Sequence, residues 1–214
     1  QFIKQIEKTQ YDGNLFMLSH SMGGAIGLRY IQQHPETFEK VAFSSPMWAL
    51  NAGPVPKPIA KGLLKIVAWS TSLWSDQSPY FFGGQDYNPV PFAENVLTHS
   101  NVRYIYFRDT YDQTPELQLG SVTINWIQES VAALDIAYEQ LNMVKSPVLV
   151  LQSGAEKVID NEGQNRFCQR LKDSGNPCVS GTPIVIENAQ HELFIEEDKK
   201  RSEALKHIIG FFSS

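Results

Sequence analysis

Cysteine is scarce in this 214-residue chain, which contains only Cys168 and Cys178. Two cysteines are too few for a disulfide scaffold. The sequence also has no C-x-x-C pair and no His-rich cluster, so it suggests no metal site. The two cysteines are close enough in sequence to pair, but the pattern favours two reduced thiols. We therefore expect a fold that depends on a hydrophobic core and needs no metal.

Positive charge and long apolar runs are lacking as well. The chain has 18 Lys and Arg residues against 23 Asp and Glu residues, and this formal net charge of −5 argues against a nucleic-acid partner. No apolar run is long enough to cross a bilayer, and no signal-peptide pattern is found. These absences favour a cytoplasmic globular protein, with 42% hydrophobic residues to form its core.

The segment Gly13–Tyr30 has the pattern of a strand, a tight turn and a helix. The apolar run Leu15–Leu18 predicts a buried strand, and the periodicity after Ser21 predicts a helix that ends near Gln33. This is the layout of the G-x-S-x-G nucleophile elbow, in which a strained turn exposes a serine oxygen. Ser21 at the apex is therefore the candidate nucleophile.

The elbow pattern departs from its usual form at one position. Ser19 stands where the first glycine is expected, but serine is still small. Gly23 and Gly24 supply the small residues that a close approach of strand and helix requires. The backbone N–H of Met22 follows Ser21 and is the candidate oxyanion donor. The alternative is a glycine-rich turn that contains an ordinary serine.

The elbow comes unusually early in the chain. In an open parallel sheet such a strand usually has neighbours on both sides, yet only Gln1–Tyr11 precede it, with a helical pattern. We therefore expect this chain to be the C-terminal part of a larger protein, without the N-terminal strands and the second oxyanion donor. Alone it would be an incomplete catalyst, with its first strand either paired on both sides or exposed along one edge.

Strand and helix patterns then alternate, with one interruption. Further strands are predicted at Lys40–Ser44, Pro147–Gln152 and Pro183–Ile186. Helices are predicted at Met22–Gln33, Ile59–Trp74, Asn101–Thr110, Thr123–Leu141, Asp160–Lys172 and Glu196–Phe212. The alternation is typical of a parallel α/β sheet with flanking helices and right-handed crossovers. We assign residues 1–46 and 145–214 to the core, and residues 47–144, which lack strand alternation, to a helical cap.

The helix predicted at Ile59–Trp74 is amphipathic, with lysines at 57, 61 and 65 away from its apolar side. Two interpretations stay open: packing against its own domain, or contact with lipid at the surface of a membrane. Four apolar side chains of the cap are the candidate substrate-binding residues: Trp48, Leu63, Trp69 and Trp126.

A serine nucleophile needs a histidine base and an acid that orients the base. In this kind of sheet the order along the chain is serine, acid, histidine. His191 lies in the loop after the last predicted strand, where such sheets carry their chemistry. The remaining histidines fit less well by position: His20, His34, His99 and His207.

The acid should follow the strand at Pro147–Gln152, and two residues compete for this role. Glu156 lies on the turn directly after the strand and is favoured. Asp160 opens the next helix, where a carboxylate serves as an N-cap, and is the alternative.

Three motifs resemble the α/β-hydrolase superfamily and, within it, the monoacylglycerol lipase and lysophospholipase L2 group. Ser-His-Ser-Met-Gly-Gly at 19–24 resembles their elbow, Gly-Ala-Glu-Lys-Val-Ile-Asp at 154–160 their acid loop, and Ala-Gln-His-Glu-Leu at 189–193 their histidine loop. Glutamate at 156 departs from the usual aspartate and resembles the bacterial lysophospholipase L2 branch. Three further segments resemble the same branch: Asn95–Ser100, Val158–Asn161 and Arg166–Cys168.

The resemblance implies hydrolysis of a single-chain lipid ester, in first place a lysophospholipid, through a Ser21–Glu156–His191 triad and an acyl-enzyme. It also implies an acyl-transfer side activity, no cofactor, and peripheral contact with the inner face of the membrane. A monoacylglycerol lipase or general carboxylesterase would share the triad. A prolyl-type peptidase would too, but the cap offers no evident acidic anchor for a peptide amine. A non-catalytic lipid-binding protein on this fold is the alternative of another class.

Overall fold

The computed structural model describes residue 5, residues 13–51 and residues 78–214. Within these ranges four parallel strands form one sheet, and their order in the sheet is their order in the chain. The strands are β1 Phe16–His20, β2 Lys40–Ser44, β3 Val148–Ser153 and β4 Ile184–Ile186. The predicted parallel sheet is thus confirmed.

Most helices of the described residues pack on the two faces of this sheet, and Asn101–Gln113 belongs to the predicted cap. Five α-helices are present: α1 Met22–Gln33, α2 Asn101–Gln113, α3 Ile124–Glu139, α4 Glu162–Asp173 and α5 Asp198–Ser213. Short 3-10 helices lie at Phe92–Glu94, Pro115–Leu117, Leu141–Met143 and Leu193–Ile195. In the part of the chain that the structure describes, no helix is long and apolar enough to cross a membrane.

The cap is helical where it is described. Between residues 78 and 142 the only strand-like feature of the described chain is an isolated bridge between Tyr80 and Thr123. The hydroxyl of Thr123 accepts a hydrogen bond from the Trp126 N–H, so Thr123 is the N-cap of α3. The helix predicted at Ile59–Trp74 lies outside the described residues, as do Leu63, Trp69 and the three cap lysines. The domain boundaries therefore stay a prediction.

Alternate residues of the central strands face two separate cores. Phe43 and Val150 belong to one buried cluster, which packs against α1, α3 and α4. Ala42 and Leu149 belong to the other, which packs against α5. Successive side chains of a strand point to opposite faces, so a sheet covered on both faces needs continuous apolar strands. This requirement explains why β2 and β3 were easy to identify from sequence.

Strand β1 differs from the buried strand that the run Leu15–Leu18 predicts. Within the described residues it pairs with β2 alone and lies at the edge of the sheet. Phe16 is 39% exposed and Leu18 is 45% exposed. Of the two arrangements expected for this strand, the structure has the exposed edge.

Cys168 and Cys178 form a disulfide, so the expectation of two reduced thiols is wrong. After α4, Gly175 adopts a positive φ of 91° and reverses the chain. The reversal brings the two Cα atoms to 5.5 Å, within the range that a disulfide requires, and both residues are buried. The spacing of the two cysteines can be read from the sequence, but the direction in which the chain turns after the helix cannot.

Candidate active site

Ser21 occupies a strained turn between β1 and α1. Its φ of 51° lies in the left-handed region, which a non-glycine residue rarely adopts. Its N–H donates to the Ser44 carbonyl at 3.1 Å, and its carbonyl accepts from the N–H groups of Gly24 and Met47, both at 2.9 Å. These bonds to the end of β2 and the following loop hold the conformation that a nucleophile elbow needs.

Two glycines of α1 allow the close packing of this turn. A Cβ at Gly24 would lie 2.5 Å from the Cβ of Pro46. A Cβ at Gly27 would lie 2.7 Å from the Ser19 hydroxyl, so Gly27 accommodates the serine that replaces the first glycine of the motif. Gly23, in contrast, has no described atom within 4 Å of the place where its Cβ would be. The tight positions are therefore Gly24 and Gly27.

The three side chains that the sequence predicts as a triad lie together. The Nε2 atom of His191 is 2.8 Å from the Ser21 hydroxyl, and its Nδ1 atom is 2.7 Å from a carboxylate oxygen of Glu156. The side chains of His191 and Glu156 are only 3% and 2% exposed, so the hydrogen bond between them is shielded from solvent. Both ring nitrogens of the histidine are thus engaged, one with an alcohol and one with an acid.

The second carboxylate oxygen of Glu156 turns back onto its own loop. It accepts the N–H of Val158 at 2.7 Å and the N–H of Ile159 at 3.3 Å. Burial acts to raise the pKa of Glu156, but the bonds from His191 and from these two amides outweigh it and lower the pKa below its ordinary value. The carboxylate is therefore ionised at neutral pH.

Asp160, the alternative acid, has a different contact. Its carboxylate accepts the N–H of Glu162 at 3.0 Å, at the beginning of α4. This is the helix-capping role that its position in the sequence suggests. It is Glu156 whose carboxylate contacts the histidine.

The acid loop and the histidine loop are bonded to each other along their backbones. Ala155 N–H donates to Ala189 O at 2.8 Å, and Gly154 N–H donates to Ile186 O at 3.0 Å. The hydroxyl of Ser153, the last residue of β3, donates to Gln190 O at 2.8 Å. The loops that carry the acid and the base are thus fixed relative to each other.

Met22 is the first residue of α1, directly after Ser21. The first N–H groups of a helix have no partner inside the helix. Its N–H is therefore the candidate oxyanion donor, and this role stays a prediction.

The predicted substrate-binding residues have different environments. Trp48 is 1% exposed; its ring stacks on Phe167 with centroids 3.8 Å apart, and its Nε1–H donates to Gly24 O at 3.2 Å. Trp48 is therefore a core residue and presents no surface to a substrate. The sequence could not reveal this, because it does not show which way an aromatic side chain after a strand points. Trp126 is half-buried on α3, and its role stays a prediction.

His20 and Glu192 form a second pair beside the triad, which sequence reasoning missed. His20 precedes Ser21 and Glu192 follows His191, and the pair's Nε2 and Oε2 atoms are 3.1 Å apart. Burial acts to raise the pKa of Glu192, but His20 and His191 lower it below its ordinary value. Among the described residues, these two and His191 are the one group that could ligate a metal. A metal there would compete with Ser21 or Glu156 for His191.

Known proteins resemble this chain over most of its length. Residues 1–198 match the family model described as serine aminopeptidase, S33. The chain is 34% identical to lysophospholipase L2 of Escherichia coli strain K12 over 198 residues, which cover 92% of this chain and 57% of that protein. It is 22% identical to the monoglyceride lipase of Rattus norvegicus over 210 residues, which cover 97% of this chain and 61% of that protein. The chain therefore spans less than two thirds of these relatives.

Solved structures share the fold. The monoacylglycerol lipase of Paleococcus ferrophilus matches with a TM-score of 0.63 at 20% identity, covering 98% of this chain and 73% of that one. The carboxyl esterase of Bacillus coagulans matches with a TM-score of 0.66 at 17% identity, covering 98% of this chain and 68% of that one. With its parallel sheet, its serine elbow and a family match over most of its length, the chain belongs to the serine aminopeptidase S33 family of α/β hydrolases.

Proposed function

We propose that the protein is a serine hydrolase that cleaves the acyl ester of a single-chain lipid, in first place a lysophospholipid. One observation carries the proposal: the Ser21 hydroxyl, both ring nitrogens of His191 and the Glu156 carboxylate form a continuous chain with links of 2.8 and 2.7 Å. This arrangement suits the activation of an alcohol as a nucleophile.

In the proposed reaction Glu156 accepts the Nδ1–H of His191, which leaves Nε2 free to take the proton of Ser21. The serine oxygen attacks the acyl carbonyl, and the Met22 N–H stabilises the resulting oxyanion. His191 then gives the proton to the glycerophospho alcohol, which leaves as the carbonyl re-forms. Water, activated by the same histidine, attacks the acyl-enzyme and releases the fatty acid. A lipid alcohol in place of water would give the proposed acyl-transfer side activity.

A lipid substrate is supported by the relatives and by the surface of the cap. One relative is named a lysophospholipase and another a monoglyceride lipase. Four apolar side chains of the described cap are largely exposed: Phe82, Val102, Tyr106 and Leu119. Exposed apolar side chains of this kind suit peripheral contact with a lipid interface.

The nucleophile is tested with Ser21→Ala in the full-length protein. The variant should fold normally and lose roughly 10⁴ to 10⁶ in kcat, the usual cost of a triad deletion. Ser19→Ala is the matched control, because Ser19 packs on Gly27 and does not contact His191. Activity of Ser21→Ala above about 1% of wild type would rule out Ser21, since triad deletions cost far more. Absence of fluorophosphonate labelling of Ser21 would favour the non-catalytic lipid-binding protein.

The substrate class is tested with a panel on the wild-type protein. Lysophosphatidylethanolamine should have the highest kcat/KM, above monoacylglycerol and a short p-nitrophenyl ester. A preference for monoacylglycerol, or for the soluble ester, would instead identify a monoacylglycerol lipase or a general carboxylesterase. An aminoacyl amide belongs in the panel, because the family model carries the description of an aminopeptidase.

A further inference from the structure

Glu196 is a carboxylate that the proposed triad does not use, yet its side chain is 0% exposed. It lies between the 3-10 helix Leu193–Ile195, just after the histidine loop, and α5. Burying a carboxylate is unfavourable unless its oxygens are fully paired. The position therefore needs an explanation beyond packing.

Four N–H groups or ring nitrogens surround the Glu196 carboxylate. Its Oε1 accepts the N–H of Gln190 at 2.8 Å and lies 2.7 Å from Nδ1 of His99. Its Oε2 accepts the N–H of Glu197 at 2.8 Å and the N–H of His99 at 3.3 Å. Lys200 Nζ lies 3.6 Å from Oε2 and 3.0 Å from the His99 ring nitrogen. The carboxylate is thus bonded at once to the histidine loop and to the cap.

The partner on the cap side belongs to the segment Asn95–Ser100, which the triad does not involve. This segment has two further contacts, one with the 3-10 helix Leu193–Ile195 and one with the histidine loop. Thr98 Oγ1 donates to Ile195 O at 2.7 Å, and the Glu192 N–H donates to Leu97 O at 2.9 Å. The guanidinium of Arg103, at the beginning of α2, donates to the Glu196 carbonyl and pairs with Asp198. The histidine loop is therefore held by the cap as well as by the acid loop.

The bond to Gln190 acts on the residue next to the base. The Gln190 N–H is fixed by Glu196, and the Gln190 carbonyl is fixed by Ser153. Both backbone polar groups of Gln190, the residue directly before His191, are thus held by hydrogen bonds. Because a shift of about 1 Å in a reacting group can cost roughly 10²-fold in rate, such ties matter for the 2.8 Å contact with Ser21.

We propose that Glu196 is a positioning residue for His191. Glu196 fixes the histidine loop through its bond to the Gln190 N–H. Because Glu196 is also bonded to His99, the position of the histidine loop depends on the cap segment Asn95–Ser100. The inference rests on the proposed function, because it requires His191 to act as the base. It assigns Glu196 and His99 no contact with substrate.

Glu196→Gln tests the first half of the inference. A carboxamide replaces one acceptor oxygen with an NH₂ group, so at least one of the N–H donors loses its partner. With a short soluble p-nitrophenyl ester, kcat per labelled Ser21 should fall by about 10- to 100-fold while KM stays near the wild-type value. Glu197→Gln is the matched control: this neighbouring carboxylate is exposed and should leave kcat unchanged.

His99→Ala and His99→Asn test the dependence on the cap. Alanine removes the ring nitrogen that faces Glu196, whereas the asparagine amide can present an N–H at a similar position. We expect His99→Ala to lower kcat per labelled site and His99→Asn to restore most of it. A merely structural role would reduce the folded fraction without changing kcat per labelled site.

The outcomes separate this inference from the proposed function. If fluorophosphonate labels Ser21 of the wild type and both Glu196→Gln and His99→Ala keep the wild-type kcat per labelled site, the positioning role alone is wrong. If Ser21 of the wild type is not labelled, or Ser21→Ala stays active, the proposed function is wrong and the inference falls with it. A fall in kcat that His99→Asn reverses supports both.

Discussion

At the scale of the residue, the acid of the proposed triad is a glutamate, one methylene longer than the aspartate usual in the superfamily. The extra length lets one carboxylate oxygen reach His191 while the other accepts the N–H groups of Val158 and Ile159. Both oxygens of this longer side chain are thus held by hydrogen bonds.

Glu156→Gln should lower kcat far more than Asp160→Asn. The glutamine amide carries no negative charge opposite Nδ1 of His191. The imidazolium that forms during proton transfer therefore loses its stabilisation. Removal of an acid of this kind costs on the order of 10⁴ in kcat. Steady-state kinetics at matched thermal stability measures the difference. A larger loss in Asp160→Asn would assign the acid role to Asp160.

The buried carboxylate of Glu196 should make stability depend on pH. Burial acts to raise its pKa, but bonds from Gln190, His99 and Glu197 outweigh it and lower the pKa from its ordinary value of 4.5. The charged form is therefore stabilised in the folded state, and this contribution is present above pH 4.5 and disappears as the pH falls below it. The difference in the free energy of unfolding between the wild type and Glu196→Gln should therefore become smaller as the pH falls below 4.5. Urea denaturation of both proteins from pH 7 to pH 4 measures this difference. A difference that does not change with pH would contradict the prediction.

The sequence predicted the triad residues better than their surroundings. Ser21, Glu156 and His191 each follow a recognisable strand, so the parallel topology alone brings them to one edge of the sheet. Trp48, His20 and Glu196 could not be placed in this way. Their neighbours are distant in sequence, and no local pattern records a contact such as that between His99 and Glu196.

At the scale of the element, the junction of β1 and α1 depends on two glycines at close contacts. Sequence reasoning named Gly23 and Gly24 from the motif, whereas the tight positions are Gly24 and Gly27. The motif specifies that small residues are needed, but the contacts depend on how the Pro46 loop and Ser19 pack against the helix.

Gly24→Ala should destabilise the protein by about 1 to 3 kcal/mol, because its Cβ would lie 2.5 Å from the Cβ of Pro46 and the loop would have to move. Gly23→Ala is the control on the same turn of helix, with open space among the described residues. Chemical denaturation gives both free energies of unfolding. Equal values for the two variants would show that the loop yields without cost.

The disulfide ties α4 to the loop before β4. Cys168 and Cys178 are ten residues apart, so the cross-link should contribute about 2 to 3 kcal/mol by restricting the unfolded chain. The double variant Cys168→Ser/Cys178→Ser should therefore unfold at a lower denaturant concentration than the oxidised protein. The reduced wild type should unfold at about the same concentration as the double variant. Thiol titration of the native protein would contradict the bond if it found two free thiols.

At the scale of the whole molecule, the four-strand sheet has an exposed edge at β1. In the described part of the chain this strand pairs with β2 alone, and the chain spans 57% of the length of lysophospholipase L2 from Escherichia coli strain K12. Among the described residues, the backbone N–H and C=O groups of β1 on the side away from β2 have no strand partner. Exposed Phe16 and Leu18 add apolar surface along the same strand.

Expression of residues 1–214 alone tests the consequence of this edge. An open strand edge is a template for pairing with another chain, so we expect concentration-dependent association and weak esterase activity. Loss of one oxyanion donor typically costs roughly 10² to 10³ in kcat. Sedimentation velocity and ester hydrolysis measure both effects. A monomer with full activity would show that the chain supplies its own second donor.

The order of the strands has a consequence for biosynthesis. Because each strand of this sheet pairs with its neighbour in sequence, the sheet can grow strand by strand as the polypeptide leaves the ribosome. The nucleophile is on the first strand of the series, but the base comes 170 residues later, after the last. At translation rates of 5 to 20 residues per second, roughly 10 to 30 s separate the two. A nascent chain therefore carries Ser21 for that interval without His191, and the hydrogen-bonded series Ser21–His191–Glu156 can form only when synthesis of the sheet is complete.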